Sequence, residues 1–332
     1  MGDVNPAPPA ATDLSGKTAL VTGCNKGLGF EVARQLILLK VSRLIITTRD
    51  RSKGEAAIAA LRADPQVAQI YSHQTPIRIE WFQLELDDYE SAITFVRKIQ
   101  RDISELGILI LSAGMLQLEF QRAKTGHEVS MQVNCYTNCL IILNLLSLLS
   151  ATSQQRNSPS HVTVVGSFSM RQTAVKSLRI PEIQSLIEHL DTEGSYRRLQ
   201  RYPDSKFLMH VFVHQLATIT NPNEIIINTV CPGVVMTDIL AYGPIWLRAL
   251  MWSRWLASGR TVEEGGTLII QAATALGEDS HGEFIQNGRV DSGATELVRS
   301  IGSTLITGFW HEIRDEISHV CAESTASYKP RQ

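Results

Sequence analysis

Seven strand-like runs alternate with helix-like ones along most of this chain, and that alternation limits the fold more than any other feature. The runs cover residues 18–21, 43–48, 79–84, 108–111, 162–165, 225–230 and, more weakly, 283–286. Several are apolar throughout, as in Ile108-Leu109-Ile110-Leu111, instead of alternating with polar residues. A strand reads this way when helices cover both faces of its sheet. Residues 31–39, 53–62, 91–103, 134–149 and 205–217 carry the helical patterns between them. The prediction is an α/β chain with a doubly wound parallel sheet.

A chain of 332 residues, 44% of them hydrophobic, can bury a sizeable core, and no internal repeat or second glycine loop divides it. One domain is expected over 14–291, with insertions at 170–201 and 239–260 and a helical extension at 292–332. The opening 1–13 contains Asn5-Pro6-Ala7-Pro8-Pro9 and has neither a basic start nor an apolar core, so it reads as a disordered tail, not a secretion signal.

Charge and cysteine usage exclude several classes. Formal net charge is −2, and no basic tract is present, which argues against a nucleic-acid partner. The five cysteines, Cys24, Cys135, Cys139, Cys231 and Cys321, are scattered and odd in number, as expected of a reducing, cytoplasmic setting. Cys135 and Cys139 share a helical face, as do His210 and His214, but neither pair has further ligands nearby in sequence. No metal is predicted. The apolar run 139–149 is about half of the roughly 20 residues a membrane span requires, so it reads as a buried helix.

Thr22-Gly23-Cys24-Asn25-Lys26-Gly27-Leu28-Gly29 follows the first strand directly and opens the first helix. Glycines there permit a tight turn and close approach of a pyrophosphate, while amides at the helix start present positive charge. Gly23, Asn25, Lys26, Gly27, Leu28 and Gly29 are therefore candidate cofactor contacts. The second strand ends in Thr47-Thr48-Arg49, with Asp50 one step beyond the usual place of a ribose-binding carboxylate. Arg49 and Lys26 suit a 2′-phosphate, which favours NADP(H). In the alternative reading both cations are solvated surface charges and Asp50 reaches the ribose.

Tyr202-Pro203-Asp204-Ser205-Lys206 places a phenol and an ammonium four residues apart, on one side of a helix. An ammonium so placed is expected to lower the tyrosine pKa and let it exchange protons with an alcohol. Ser167, at the end of the run Val164-Val165-Gly166-Ser167, is positioned to hold the substrate oxygen beside that phenol. Ser169 competes for the role.

Together these motifs resemble the short-chain dehydrogenase/reductase family, in its TGxxxGxG and YxxxK subgroup, from about residue 14 to 289. Ser112-Ala113-Gly114 after the fourth strand, Asn134, and Pro232-Gly233 followed by Thr237 extend the match. The resemblance implies a Rossmann fold with strand order 3-2-1-4-5-6-7. It also implies a proton-relay water site at Asn134, substrate positioning by Ser167, acid/base chemistry at Tyr202, and Lys206 on the nicotinamide ribose. Residues 232–237, including Pro232, Gly233, Val235 and Thr237, would meet the nicotinamide end, and Glu85 and Leu86 the adenine; Ser112, Ala113 and Gly114 would line the cofactor. Within the family the chain looks most like fungal members of secondary metabolism and retinol-dehydrogenase-like relatives.

Three departures stand out. Ser112 replaces the usual Asn and shortens a group that links strands. Pro203 is expected to push Tyr202 out of helical geometry, so that the active helix begins or kinks there. Tyr202 follows Ser167 by 35 positions, so residues 170–201 must leave the core and return as a loop or flap.

Residues 239–257 hold Trp246, Trp252 and Trp255 in apolar surroundings. The stretch reads as a lid over a bulky lipophilic ketone or alcohol, such as a polyketide or terpenoid intermediate. Arg248 and Arg254 also suit an interfacial helix touching a membrane through 239–260, and plain packing is the third reading. Residues 303–319, with Trp310, close the carboxy-terminal side. The chain is expected to be a monomer or a homodimer. The leading expectation is NADP(H)-dependent interconversion of a ketone and a secondary alcohol. Its alternatives are non-redox chemistry on the same scaffold (isomerisation, dehydration or cyclisation) and a non-catalytic NADP-binding sensor.

Overall fold

The apolar runs become neighbouring strands of one sheet: β1 (Thr18–Val21), β2 (Arg43–Thr48), β3 (Arg78–Gln83), β4 (Ile108–Leu111), β5 (Ser160–Val165), β6 (Ile225–Cys231) and β7 (Phe284–Gln286). The computed structural model describes residues 12–73, 77–178, 180, 184–235 and 245–321. All seven strands are parallel and follow the expected order, 3-2-1-4-5-6-7. An antiparallel edge strand, β8 (Arg289–Val290), folds back on β7 and was not anticipated. The hairpin turns through Asn287 and Gly288, both at positive φ, and its two-residue length leaves too little pattern to read.

Each face of the sheet carries its own core. On one face pack α1 (Gly27–Leu38), α2 (Arg51–Ala63), α3 (Pro65–His73) and, later in the chain, residues 262–274; Val32, Leu36, Leu61, Ile269 and Ala273 meet the sheet there. The other face takes α4 (Tyr89–Asp102) and α5 (Val129–Arg156), with Phe95, Ile99, Leu140 and Leu145 buried against it. α5 is 28 residues long, far beyond the apolar run 139–149, and long and apolar enough to cross a membrane. Most of it is buried inside the molecule, as in a core helix. A π-helical turn, Gln132–Tyr136, interrupts it around Asn134.

After β5 a 3-10 turn, Phe168–Gln172, leads into the insertion, which contains the short helix α6 (Leu186–Leu190). It returns to α7 (Arg201–Ala217). Beyond β6 come α8 (Ile245–Ser258) and α9 (Val262–Thr274), the latter opened by a Thr261/Glu264 capping box. α10 (Ser292–Ser300) and α11 (Ser303–Val320) follow the sheet. α11 lies on α7, where the Trp310 and Phe212 rings stand 5.5 Å apart.

Polar contacts fasten these later segments to one another. The Glu312 carboxylate accepts the first two amides of α6, from Leu186 and Ile187, at 3.0 and 2.9 Å. His127, just before α5, contacts Asp191 at 2.6 Å and Glu316 at 2.9 Å. Insertion, α5 and carboxy-terminal helix thus meet at one imidazole.

Candidate active site

The carboxyl ends of β1 and β4 diverge to opposite halves of the sheet, and the crevice this opens is where open α/β sheets bind ligands. Gly23 and Gly27 turn there at φ +76 and +62, in the left-handed region. Gly29 lies against the Gly23 carbonyl, so that any side chain on it would strike backbone. α1 starts at Gly27, its N-cap residue Lys26 makes no side-chain cap, and its first turn holds no acidic residue. The first-turn amides and the helix dipole fit an anionic pyrophosphate. Asn25 and Lys26 are exposed at the loop, and Leu28 is half-buried.

Thr22 explains how Ser112 is tolerated. Its hydroxyl oxygen accepts the Ser112 and Ala113 amides at 3.0 and 3.1 Å, which joins β1 to the turn after β4 without help from the residue 112 side chain.

Just beyond β2, Arg49 is largely exposed, with its Nε 3.9 Å from the Glu85 carboxylate. Asp50 is engaged otherwise: it caps α2 by accepting the Lys53 amide at 2.9 Å, and it pairs with the Lys53 ammonium at 2.8 Å. These hydrogen bonds hold its carboxyl down at about 2. Burial raises the Glu85 carboxyl above its ordinary range, with Asp87 adding to the effect. Leu86 turns its side chain into the core, and its carbonyl accepts the Thr137 hydroxyl at 2.6 Å.

Asn134, Ser167, Tyr202 and Lys206 converge beside this crevice. Asn134 is held from both ends of its amide: Oδ1 accepts the Met115 N–H at 2.9 Å, and Nδ2 donates to the Met115 carbonyl at 2.8 Å and to Ser205 Oγ at 2.9 Å. Gly114 leaves room for its neighbours, since a Cβ there would lie 3.1 Å from Asn134 Oδ1 and 3.2 Å from Lys206 Nζ.

Tyr202 lies inside α7, so Pro203 does not push it out of helical geometry, although the helix does begin there as expected. The helix starts at Arg201, so the proline falls in the first turn, where its missing N–H breaks no helical hydrogen bond. The expected lowering of the Tyr202 pKa is also corrected. The Lys206 ammonium sits 5.9 Å from the phenol ring centre and donates to the Val165 carbonyl at 2.8 Å. Burial pushes the phenol up to about 12, opposed by a hydrogen bond with Ser167. Burial also pulls Lys206 down to about 8. Desolvation of both groups outweighs their mutual influence.

Ser167 has extended backbone and caps the 3-10 turn that follows, its Oγ accepting the Ser169 amide at 3.2 Å. Ser169 Oγ stands 2.9 Å from the same atom. The two serines therefore share the site, with Ser167 toward the phenol.

On the far side of the crevice, Gly233 takes φ +89 after Pro232. Val234 and Val235 pair with Gly259 and Arg260 in a two-stranded parallel ribbon. Arg260 Nη2 donates to Asn287 Oδ1 at 2.8 Å, which puts a guanidinium beside the Pro232-Gly233 turn, where sequence reasoning saw none. Its distance from the recognised motifs hid it. Thr237 lies outside the described residues. Of the segment 239–260, α8 onward is described: Ile245, Trp252 and Leu256 are 83%, 53% and 60% exposed and fall on one stripe of the helix, so this face is not packed into the described core. Trp255 is partly buried and donates through Nε1 to the Arg260 carbonyl at 3.2 Å. His210 and His214 are packing residues: His210 is buried edge-on against Phe284 and contacts the Thr229 hydroxyl at 3.2 Å.

A family model described as short chain dehydrogenase matches residues 17–244. Among named proteins, the chain is 40% identical over 289 residues to the short chain dehydrogenase sor7 of Hypocrea jecorina, covering 86% of this chain and 80% of that one. It is 33% identical to the short-chain dehydrogenase/reductase tropG of Talaromyces stipitatus, covering 94% of each. Solved structures share the fold at lower identity. The Pseudomonas aeruginosa RhlG/NADP active-site complex matches with a TM-score of 0.59 at 22% identity, over 82% of this chain and 95% of that one. The NADPH-bound carbonyl reductase from chicken fatty liver matches with a TM-score of 0.58 at 18% identity, over 85% and 96%. With the matched region running from β1 past the Tyr202 and Lys206 helix, and relatives aligned along nearly the whole length, the chain belongs to the short chain dehydrogenase family.

Proposed function

We propose that this oxidoreductase interconverts a ketone and a secondary alcohol on a bulky lipophilic substrate, with NADP(H) as cofactor and Tyr202 as the acid/base. The observation that carries this reading is the meeting of Ser167 with the Tyr202 phenol, beside a glycine loop that opens a helix with no acidic residue in its first turn. The loop from Gly23 to Gly29 would hold the pyrophosphate, and Lys206 would face the cofactor ribose. When bound, the nicotinamide supplies or accepts the hydride. In the reducing direction, Tyr202 and Ser167 each direct an O–H at the carbonyl oxygen, and the Tyr202 proton transfers to it as charge develops. Such positioned proton transfer contributes about 10²–10⁴-fold to rate. With its phenol held high, Tyr202 is protonated at neutral pH and ready to act as the acid.

Exposed Arg49 and the commitment of Asp50 to its helix cap support NADP(H) over NAD(H). The RhlG/NADP and NADPH-bound carbonyl reductase complexes agree with that choice. The stripe Ile245, Trp252, Leu256 supports an apolar substrate, of polyketide or terpenoid kind, with peripheral contact of α8 at a membrane surface as its second use. Buried free cysteines support a cytoplasmic setting.

The test is incubation of purified protein with NADPH and a panel of bulky lipophilic ketones, following cofactor absorbance and product mass. Cofactor loss with a two-hydrogen mass gain, absent in Tyr202→Phe, is the expected result. Conversion without cofactor consumption would overturn the reading in favour of non-redox chemistry.

A further inference from the structure

Besides the Tyr202 phenol, Ser167 Oγ meets two groups of unequal character, both from Ser169. The Ser169 amide, 3.2 Å away, can only donate. The Ser169 hydroxyl, 2.9 Å away, is placed to donate as well. A serine oxygen has two lone pairs and one proton. With both lone pairs engaged, its own proton is the only hydrogen-bonding capacity left.

We propose that Ser169 is a positioning residue that makes Ser167 a donor only, aiming its proton at the Tyr202 phenol oxygen and the substrate oxygen; this rests on the ketone/alcohol reading above.

The local fold supports the arrangement. Ser167 caps the 3-10 turn Phe168–Gln172, Met170 donates its amide to the Ser167 carbonyl at 3.1 Å, and the Met170 side chain is fully buried. Ser169 is thus held between its fixed cap and an anchored neighbour, so its hydroxyl reaches Ser167 without a costly search of rotamers. Accepting two hydrogen bonds also polarises the Ser167 O–H and strengthens the bond it donates, by about 10–30% in condensed-phase estimates. The contact between Ser167 and Tyr202, which favours the phenolate, has the sign a donor gives.

The chemical consequence is directional. In reduction, the carbonyl oxygen meets two donors, as in an oxyanion hole. The Tyr202 O–H bond breaks, the substrate O–H bond forms, and Ser167 keeps its proton. In oxidation, the substrate hydroxyl finds no acceptor at Ser167, so its proton has one destination, the Tyr202 phenolate.

Four variants test this: Ser169→Ala, Ser169→Thr, Ser167→Ala and the double alanine variant. Two readouts are taken: steady-state kinetics, and the Cζ resonance of Tyr202 in ¹³C-tyrosine-labelled protein, assigned with Tyr202→Phe. Ser169→Ala is expected to lower kcat about tenfold with little change in KM or NADPH affinity. It should also shift the Tyr202 resonance in the same sense as Ser167→Ala, and Ser169→Thr should restore both. In the Ser167→Ala background, removing Ser169 should add nothing, because its effect runs through Ser167. An unchanged resonance in Ser169→Ala, or a full further loss in the double variant, would overturn the proposal. Absence of Tyr202-dependent NADPH consumption in the unaltered protein would sink the ketone/alcohol reading, while the resonance comparison still decides the role of Ser169.

Discussion

Lys206 donates its ammonium to the Val165 carbonyl at 2.8 Å, so the helix carrying the phenol is pinned to the strand that ends two residues before Ser167. This ties the helix proposed to carry the acid/base to the turn proposed to position substrate, through one buried side chain. It also places a cation where burial draws its pKa down to about 8.

That burial sets a pH signature. Below pH 8 the folded protein carries a desolvated charge, and between about 8 and the ordinary lysine value of 10.5 the folded state sheds this proton before the unfolded state does. The unfolded state then binds more protons, so the Lys206 contribution to stability improves as pH rises through that window. Lys206→Met should lose turnover yet match or exceed the parent in stability at pH 7, by up to about 3 kcal/mol, with the advantage shrinking toward pH 10.5. Denaturation of both proteins at pH 7, 8.5 and 10 checks the trend.

Tyr202→Phe should reduce kcat about 10³-fold while leaving the Kd for NADPH within about twofold. In the alcohol-oxidising direction, kcat/KM of the parent should climb with pH, because the free-enzyme phenol titrates near 12 and only its ionised form accepts the substrate proton. A pH-independent oxidation rate would contradict Tyr202 as the base.

Gly29→Ala should weaken cofactor binding at least tenfold, since the new methyl would collide with the Gly23 carbonyl and displace the loop. Fluorescence titration with NADPH gives the affinity. Circular dichroism shows whether the sheet survives.

Arg49→Ser should raise the Kd for NADPH about ten- to a hundredfold, the loss of one charge-assisted contact, with much less effect on NADH. Equal effects on both cofactors would mean that Arg49 serves its neighbour Glu85, not a 2′-phosphate.

His127 offers a stability test away from the chemistry. Burial opposes its charge, but hydrogen bonds with Asp191 and Glu316 outweigh this and hold the imidazolium up to about 9. Its folded pKa is thus above the unfolded value of 6.5, so the stabilisation is complete below pH 6.5 and is lost as pH rises through about 9. His127→Gln should cost about 3 kcal/mol at pH 6 and progressively less toward pH 10, read from thermal or urea denaturation.

The strands, the glycine loop and the Tyr202 to Lys206 spacing could be read from sequence because each is a local pattern. β1, β2 and β4 fall on the apolar runs that announced them, since continuous burial selects apolar β-branched and aliphatic residues within the run itself. The motif order likewise carried the family and the strand order. Tertiary structure alone decided what each reactive group touches. Sequence spacing put an ammonium beside a phenol, but the amount of water removed from Tyr202 and Lys206 depends on α7 being enclosed by elements far away in the chain. The Thr22 bonds that make Ser112 acceptable span 90 positions or more, and His127 finds Glu316 across 189. Helical and strand periodicities report only which face a residue shares with near neighbours. Hydrogen-bond partners, desolvation and the resulting proton affinities arise when distant segments pack, and no local pattern encodes them.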